Sequence, residues 1–132
     1  KLEIYKRISN ITSYEDVTDM LDELNDRYGA VPKETINLLN IAYIKALAHK
    51  NYITEIRGGK KNGKWTTAAY FYKDASPEFI EGVKVFCEKA GGSFVFLDGE
   101  EKCLMWSYPI AKISNSGEYL ELIANVLVKL GE

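Results

Sequence analysis

A run of acidic residues between Glu15 and Asp26 is the part of this sequence that best fits a binding chemistry. At about 100° per residue on a helix, the carboxylates facing away from the apolar stripe are those of Glu15, Asp19, Asp22 and Asp26, with Asp16 and Glu23 flanking them. Asp22, Glu23 and Asp26 come near the end of that helix, where the helix dipole disfavours anions. This placement favours a partner that supplies arginine, whose planar fork matches a carboxylate. The alternative is a solvated helix face with no partner.

A second run has the spacing of a phosphate-binding loop, from Gly58 to Gly63-Lys64. However, Trp65 stands where such a loop requires a magnesium-binding Ser or Thr. A β-rich run follows instead of a helix, so no helix N-terminus would face the phosphates. The spacing therefore predicts a hairpin turn over residues 58–63, carrying solubilising lysines, and no nucleotide site.

The same hairpin gives an alternative function, which is that of an auxiliary nucleic-acid-binding module. Its side chains could contact a phosphate backbone through positive charge and stack a base on an indole ring. The residues concerned are Arg57, Lys60, Lys61, Lys64 and Trp65.

Residues typical of catalysis or metal binding are few. His49 is the only histidine and lies near the predicted end of a helix, where a cation suits the dipole. Cys87 and Cys103 sit in apolar contexts without metal-ligand spacing, which predicts inert thiols in a reducing cytoplasm. The alternative is a disulfide between them. The carboxylates lack the spacing of a calcium loop. We therefore expect no catalytic residue, no metal and no cofactor.

Length and composition are those of one ordinary globular domain. The chain has 132 residues, 46% hydrophobic and 27% charged, and a net charge of −2. That charge creates no overall field toward DNA or anionic lipid. No apolar run has the length of a membrane span, and we expect a cytoplasmic protein. Because the first residue is Lys1 and the sequence is already helical in character there, we expect a domain of a larger protein.

The pattern of apolar residues predicts helices first and strands later. Helices are expected over about 1–10, 13–28 and 32–51, the second begun by a capping signal at Thr12 or Ser13 and ended by Gly29. Pro32 is expected in the first turn of the third helix. The second helix should bury one narrow apolar stripe, formed by Tyr14, Val17, Leu21, Leu24 and Tyr28.

The second half predicts two ββα units. Residues 52–57 and 65–72 form the first hairpin, and residues 93–97 and 102–108 form the second around Asp98-Gly99. Helices are expected to begin at Ser76-Pro77 and near Asn115-Ser116. We therefore predict an α+β fold, with a four-stranded, mainly antiparallel sheet that carries its helices on one side. The helical hairpin of residues 12–50 would cover the sheet or lie beside it.

Several motifs together resemble one family. They are Tyr5-Lys6-Arg7, the run from Glu23 to Gly29, Pro32 and Asn37-Leu38-Leu39. This combination is similar to the C-terminal domain of bacterial transcription-repair coupling factors, which are DNA translocases that displace stalled RNA polymerase and recruit excision repair. The motifs cover residues 1 to about 57, and beyond them the resemblance rests on the order of elements.

The resemblance implies a regulatory latch without catalysis of its own. In that family the domain docks on the UvrB-like N-terminal module of the same polypeptide and masks its UvrA-binding surface, while the rest of the parent engages DNA and RNA polymerase. The positions corresponding to Glu23 and Asp26 contribute to this docking, and Asp19 and Asp22 share their surface. Tyr5, Lys6 and Arg7 follow the linker from the motor, so they could couple motor state to the latch. A solvated basic patch around a buried Tyr5 is the alternative.

Overall fold

The structure is a computed structural model, and it describes residues 2–72, 76–89, 92–100, 102–109 and 113–130. The elements along the chain are α1 (Leu2–Ser9), α2 (Tyr14–Tyr28), α3 (Lys33–Lys50), β1 (Ile53–Lys61), β2 (Lys64–Phe71), α4 (Pro77–Lys89), β3 (Ser93–Asp98), β4 (Lys102–Pro109) and α5 (Ser116–Leu130). Three helices followed by two ββα units confirm the predicted α+β order.

The strands form one antiparallel sheet in the order β1-β2-β4-β3, so the two hairpins lie side by side with β1 and β3 at the edges. Register places Trp65 of β2 opposite Tyr108 of β4, and Thr67 opposite Trp106. Because side chains alternate along a strand, these four residues point to the same face. All four are buried, so this face of the sheet carries the core.

Helices α4 and α5 cover that face, as predicted. Phe79 of α4 packs edge-on against Phe71, with ring centroids 5.4 Å apart. Tyr119 of α5 stacks on Trp65 at 4.5 Å. The opposite face is more exposed, since Val95 of β3 keeps 51% of its accessible surface. Helix α3 packs on α5 and also contacts β1, so the N-terminal helices lie beside the sheet and over its covering helix.

A capping box fixes the start of α2. Ser13 is the N-cap, and its Oγ accepts a hydrogen bond from the Asp16 N–H at 3.2 Å. The Asp16 carboxylate accepts in return from the Ser13 N–H, which completes a capping box. It also accepts from the Thr12 N–H at 3.0 Å. Of the two predicted caps, Ser13 is therefore the one used.

The predicted stripe on α2 is only partly correct. Val17 and Leu24 are buried as expected, and Leu21 is half-buried. Tyr14 and Tyr28, however, keep 62% and 68% of their accessible surface. The buried side chain that periodicity missed is Met20, which lies about 40° from Leu24 on the helix. A neighbouring element is present even where the stripe fails, since the Tyr14 ring lies 5.9 Å from that of Tyr43 on α3 and still remains largely open to solvent.

Two boundaries also differ from expectation. Pro32 occupies the N-cap position, one residue before the first residue of α3. The first hairpin turns at Asn62-Gly63 rather than over residues 58–63, because β1 continues through Lys61. Both turn residues have positive φ, 52° and 75°, which is the combination that a two-residue type I′ turn requires.

Candidate protein-docking surface

The acidic side chains predicted from the sequence do lie on one surface of α2. Asp19, Asp22 and Asp26 are exposed to solvent. Glu23 is half-buried and turned toward α1. The three exposed aspartates come from adjacent turns, so their negative potentials add over a narrow strip of the helix. We call Asp19, Asp22, Glu23 and Asp26 the acidic face.

Arg7 of α1 binds the Glu23 carboxylate with both arms of its guanidinium. Nη2 donates to Oε1 at 2.9 Å, and Nη1 donates to Oε2. The hydrogen bond from Arg7 holds the pKa of Glu23 below its ordinary value, and the same bond raises the pKa of Arg7. Two residues predicted for separate roles, docking and interdomain coupling, are thus brought together. Tyr5 and Lys6 lie exposed on the same helix.

This pair predicts a specific acid sensitivity. A carboxyl whose pKa is lowered by folding stabilises the fold above its unfolded pKa, and that contribution is lost as the pH falls. For Glu23 the loss therefore begins near its ordinary value of 4.5 and continues below it. We expect the free energy of unfolding, measured by urea titration from pH 6 down to pH 3, to fall less steeply in Glu23→Gln than in the wild type.

Arg7→Gln is the matched control for that measurement, because it removes the donor and keeps the carboxyl. It should flatten the pH dependence as Glu23→Gln does, and the double variant should add little. An unchanged slope in both single variants would show that the pair does not shift the titration of Glu23.

An apolar groove beside this pair was not predicted. It lies between α1, the end of α2 and the start of α3, has a volume of about 280 Å³, and is lined by Ile4, Tyr5, Ile8, Leu24, Tyr28 and Leu38 among others. Tyr5 and Tyr28 are exposed at its rim. Tyr28 could have pointed to this groove, but helical periodicity placed its side chain in the core.

The basic hairpin has a different geometry from that required for stacking a base. Arg57, Lys60, Lys61 and Lys64 are exposed. Trp65 keeps only 6% of its accessible surface, because Tyr119 covers one face of its ring and the Lys60 ammonium lies 5.1 Å from the ring centroid. This burial counts against the predicted contact between Trp65 and a nucleobase. The phosphate-loop resemblance also fails structurally, since the strand β2 begins at Lys64.

Arg57 pairs within its own strand, with Nε 2.7 Å from Glu55 Oε1, and its guanidinium lies over the Tyr70 ring at 5.2 Å. Within the described residues, His, Cys, Asp and Glu side chains form no group that could hold a metal ion. Cys103 is buried, as expected for an apolar thiol, whereas the side chain of Cys87 lies outside the described residues. None of the helices, over the part of the chain described, has the length and apolar character needed to cross a bilayer.

The sequence also matches the TRCF domain family over residues 1–76. The chain belongs to this family. Among curated relatives, the transcription-repair-coupling factor of Bacillus subtilis (strain 168) is 31% identical over 86 residues, which are 65% of this chain and 7% of the relative. That of Rickettsia bellii is 40% identical over 75 residues, which are 57% of this chain and 6% of the relative. The chain therefore spans a small fraction of the relatives that it matches.

A solved structure shows the same fold. The crystal structure of the C-terminal domain of a transcription-repair coupling factor aligns with a TM-score of 0.71 and 20% identity, covering 98% of this chain and 78% of that one. The family match ends at residue 76, whereas the structural alignment also covers both ββα units. Family membership thus rests on the sequence match over residues 1–76, and the structural match extends the shared fold to the rest of the chain.

Proposed function

We propose that residues 1–132 form the single C-terminal regulatory domain of a larger multidomain DNA translocase. On this proposal the acidic face docks on the UvrB-like N-terminal module of the same polypeptide and thereby masks the surface that binds UvrA. Family membership supports a coupling factor as the parent protein, and the structural likeness to the C-terminal domain of such a factor supports a C-terminal position within it.

The bond between Arg7 and Glu23 is the observation that carries the docking chemistry. It supports the proposal because the Glu23 carboxylate already accepts both arms of a guanidinium, that of Arg7. Asp19, Asp22 and Asp26 stand exposed beside it and would accept further cations. A partner with a basic surface therefore has a complementary target on α2. Such a contact would weaken at high salt, since charges exposed to solvent are screened.

Tethering makes weak contacts sufficient. A domain linked to its partner can experience an effective concentration in the millimolar range. Individual exposed ion pairs of about 0.2–1 kcal/mol could then keep the latch closed and still allow it to open. Tyr5, Lys6 and Arg7 would couple the motor to this latch, because a movement of α1 would withdraw Arg7 from the Glu23 carboxylate and leave it open to a partner.

The test measures capture of UvrA by the full-length parent, intact and with Asp19→Arg plus Asp26→Arg. These two changes reverse exposed charges and leave the bond between Arg7 and Glu23 in place. We expect about tenfold stronger capture, which corresponds to roughly 1.4 kcal/mol lost from the latch by two exposed pairs.

A second variant addresses Glu23 alone. Arg7→Glu with Glu23→Arg reverses the pair but preserves its attraction, so α1 stays attached while the carboxylate leaves α2. It should also strengthen UvrA capture. The control for Asp19→Arg plus Asp26→Arg is Lys61→Glu with Lys64→Glu on the distant hairpin, which changes the net charge by the same amount in the opposite direction and should leave capture unchanged. Equal capture by all folded variants would refute docking through the acidic face.

A further inference from the structure

A second groove runs between α2 and α5, with α3 as its floor. It has a volume of about 420 Å³, and its aliphatic wall residues include Leu21 of α2 and Val128 of α5. Helix α3 packs against both α2 and α5, which leaves this space open between them. The floor residues recur at intervals of four and three, as one face of a helix requires, and they are Ile36, Asn40 and Tyr43.

Five polar side chains line the groove, and no hydrogen bond joins any of these side chains to another described residue. They are Tyr14, Asn40, Tyr43, Glu121 and Asn125. Tyr43 keeps only 9% of its accessible surface, and a side chain buried to this extent ordinarily has a partner for its polar atom. The groove therefore offers hydrogen-bond acceptors that the described part of the chain does not use.

The groove is negatively charged. Glu121 is exposed on its α5 wall, and none of the described lining residues is a lysine or an arginine. Past Glu121 the groove continues toward the start of α3, where Glu34, Glu118 and Lys33 line it. The Glu118 carboxylate accepts a hydrogen bond from the Ser114 N–H at 2.8 Å. Carboxylates thus outnumber the one described lysine over both stretches, so the complementary ligand is a cation.

The groove has an anionic end and an aromatic end. Glu121 lies toward the start of α3, because it lines the continuation of the groove together with Ile36. Tyr14 lies beside Tyr43, with ring centroids 5.9 Å apart. Ile36 and Tyr43 are seven residues apart on α3, which corresponds to about 10 Å along the helix axis. The two ends are therefore far enough apart to hold two separate cationic groups.

Another part of the chain shows how a carboxylate and a tyrosine ring bind a guanidinium. On β1 the Arg57 guanidinium pairs with the Glu55 carboxylate and lies over the Tyr70 ring, 5.2 Å from its centroid. Glu121 and Tyr14 are both exposed and present the same two groups in the groove. A carboxylate accepts both arms of a guanidinium, and the face of a tyrosine ring attracts a cation.

We propose that this groove binds a partner-protein segment that carries two arginines. One guanidinium would pair with the Glu121 carboxylate, and the second would lie over the Tyr14 ring. The aliphatic walls would cover the side-chain stems, and the amide oxygens of Asn40 and Asn125 would accept remaining N–H groups. In an extended segment, side chains two residues apart point the same way and start about 7 Å apart, which suits this groove. The site is separate from the acidic face and does not depend on the proposed latch.

Arginine fits this groove better than lysine or a nucleic acid does. Its five N–H donors lie in one plane, which can pair with a carboxylate and stack on a ring, whereas the lysine ammonium is a compact point charge. The phosphates of a nucleic acid would be repelled by Glu121 and by the carboxylates that line the continuation of the groove.

The test titrates the isotope-labelled chain with the capped peptide Ala-Arg-Ala-Arg-Ala while chemical shifts are recorded. We expect saturable shifts of the side-chain amides of Asn40 and Asn125, and none at Asn62 in the turn of the first hairpin. Replacing both arginines with citrulline, which keeps the shape and removes the charge, should weaken binding about tenfold. A peptide with two lysines should bind less tightly than the arginine peptide, and so should spermidine, a free cation.

Protein variants test each end of the groove separately. Glu121→Gln should weaken the arginine peptide about two- to fivefold, as expected for losing one exposed attraction. Glu88→Gln makes the same change at an exposed position of α4 that does not line the groove, and should leave affinity unchanged. Tyr14→Ala should also weaken binding about two- to fivefold, whereas Tyr14→Phe keeps the ring and should retain it.

Several results would overturn the proposal. The citrulline peptide could bind as well as the arginine peptide, or the lysine peptide or spermidine could bind as tightly. The shifts could fall on the acidic face without shifts at Asn40 and Asn125. Glu121→Gln and Tyr14→Ala could both leave affinity unchanged, or millimolar arginine peptide could give no saturable shifts.

Discussion

Trp106→Ala should destabilise the chain by about 3–5 kcal/mol, the range typical of removing a large aromatic side chain from a core. Trp106 lies on the inner strand β4 and keeps 2% of its accessible surface. It faces the helices rather than solvent, beside Thr67 of β2. The cavity would open at the centre of the sheet, where neither edge of the sheet can move to fill it. Urea unfolding followed by circular dichroism measures the effect.

Val95→Ala is the matched control, because it shortens a side chain on the neighbouring strand that points to the exposed face of the sheet. Its cost should be less than about 1 kcal/mol. A further variant, Trp106→Phe, distinguishes volume from polarity. It should cost less than alanine, partly because the indole Nε1 of Trp106 has no hydrogen-bond partner among the described residues. A loss below about 1 kcal/mol in Trp106→Ala would contradict the assignment of this residue to the core.

Gly58→Ala has the second-largest expected effect, about 1–3 kcal/mol, through overpacking. A Cβ at Gly58 would overlap the Tyr119 hydroxyl and lie 3.1 Å from Tyr119 Cζ. Two hydrogen bonds hold that hydroxyl in place, since it donates to the Thr66 carbonyl oxygen at 2.9 Å and shares a 2.5 Å hydrogen bond with Thr67 Oγ1. Glycine is required at this position for space, so the cost arises from contact and not from backbone conformation.

A double-mutant cycle with Tyr119→Phe tests this explanation. Tyr119→Phe alone should cost about 1–3 kcal/mol, because it leaves the fully buried Thr67 hydroxyl without its tyrosine partner. In the double variant the added methyl group no longer meets an oxygen. We therefore expect the two costs to sum to less than additivity, by about 1 kcal/mol. Additive costs would mean that the clash with the hydroxyl is not what makes Gly58→Ala unfavourable.

The element order was accessible from sequence because each boundary has a local chemical cause. Ser13 with Asp16 begins α2, and Ser76 and Asn115 accept hydrogen bonds from the first turns of α4 and α5. The hairpin turn was misplaced because the glycines at 58 and 59 look like loop residues. Gly58 instead belongs to the strand, where it makes room for Tyr119. A contact between residues 61 positions apart leaves no local signal.

The candidate docking surface was also predictable from sequence only in part. Exposure of Asp19, Asp22 and Asp26 followed from helical geometry alone. The bond between Arg7 and Glu23 did not, because it depends on how α1 packs across α2 and joins residues 16 positions apart. The exposure of Tyr14 and Tyr28 was missed for a related reason, since periodicity identifies the apolar side of a helix but not how completely neighbouring residues cover each side chain on it.

The bond between Arg7 and Glu23 limits how much binding energy a partner can gain at Glu23. A partner's arginine could bind the Glu23 carboxylate only by displacing Arg7, so binding there exchanges one guanidinium for another. The bonds broken and formed are of the same kind, and their contributions largely cancel. The affinity that remains would then depend on where the displaced Arg7 goes, so the helix α1 sets the strength of a contact made by α2.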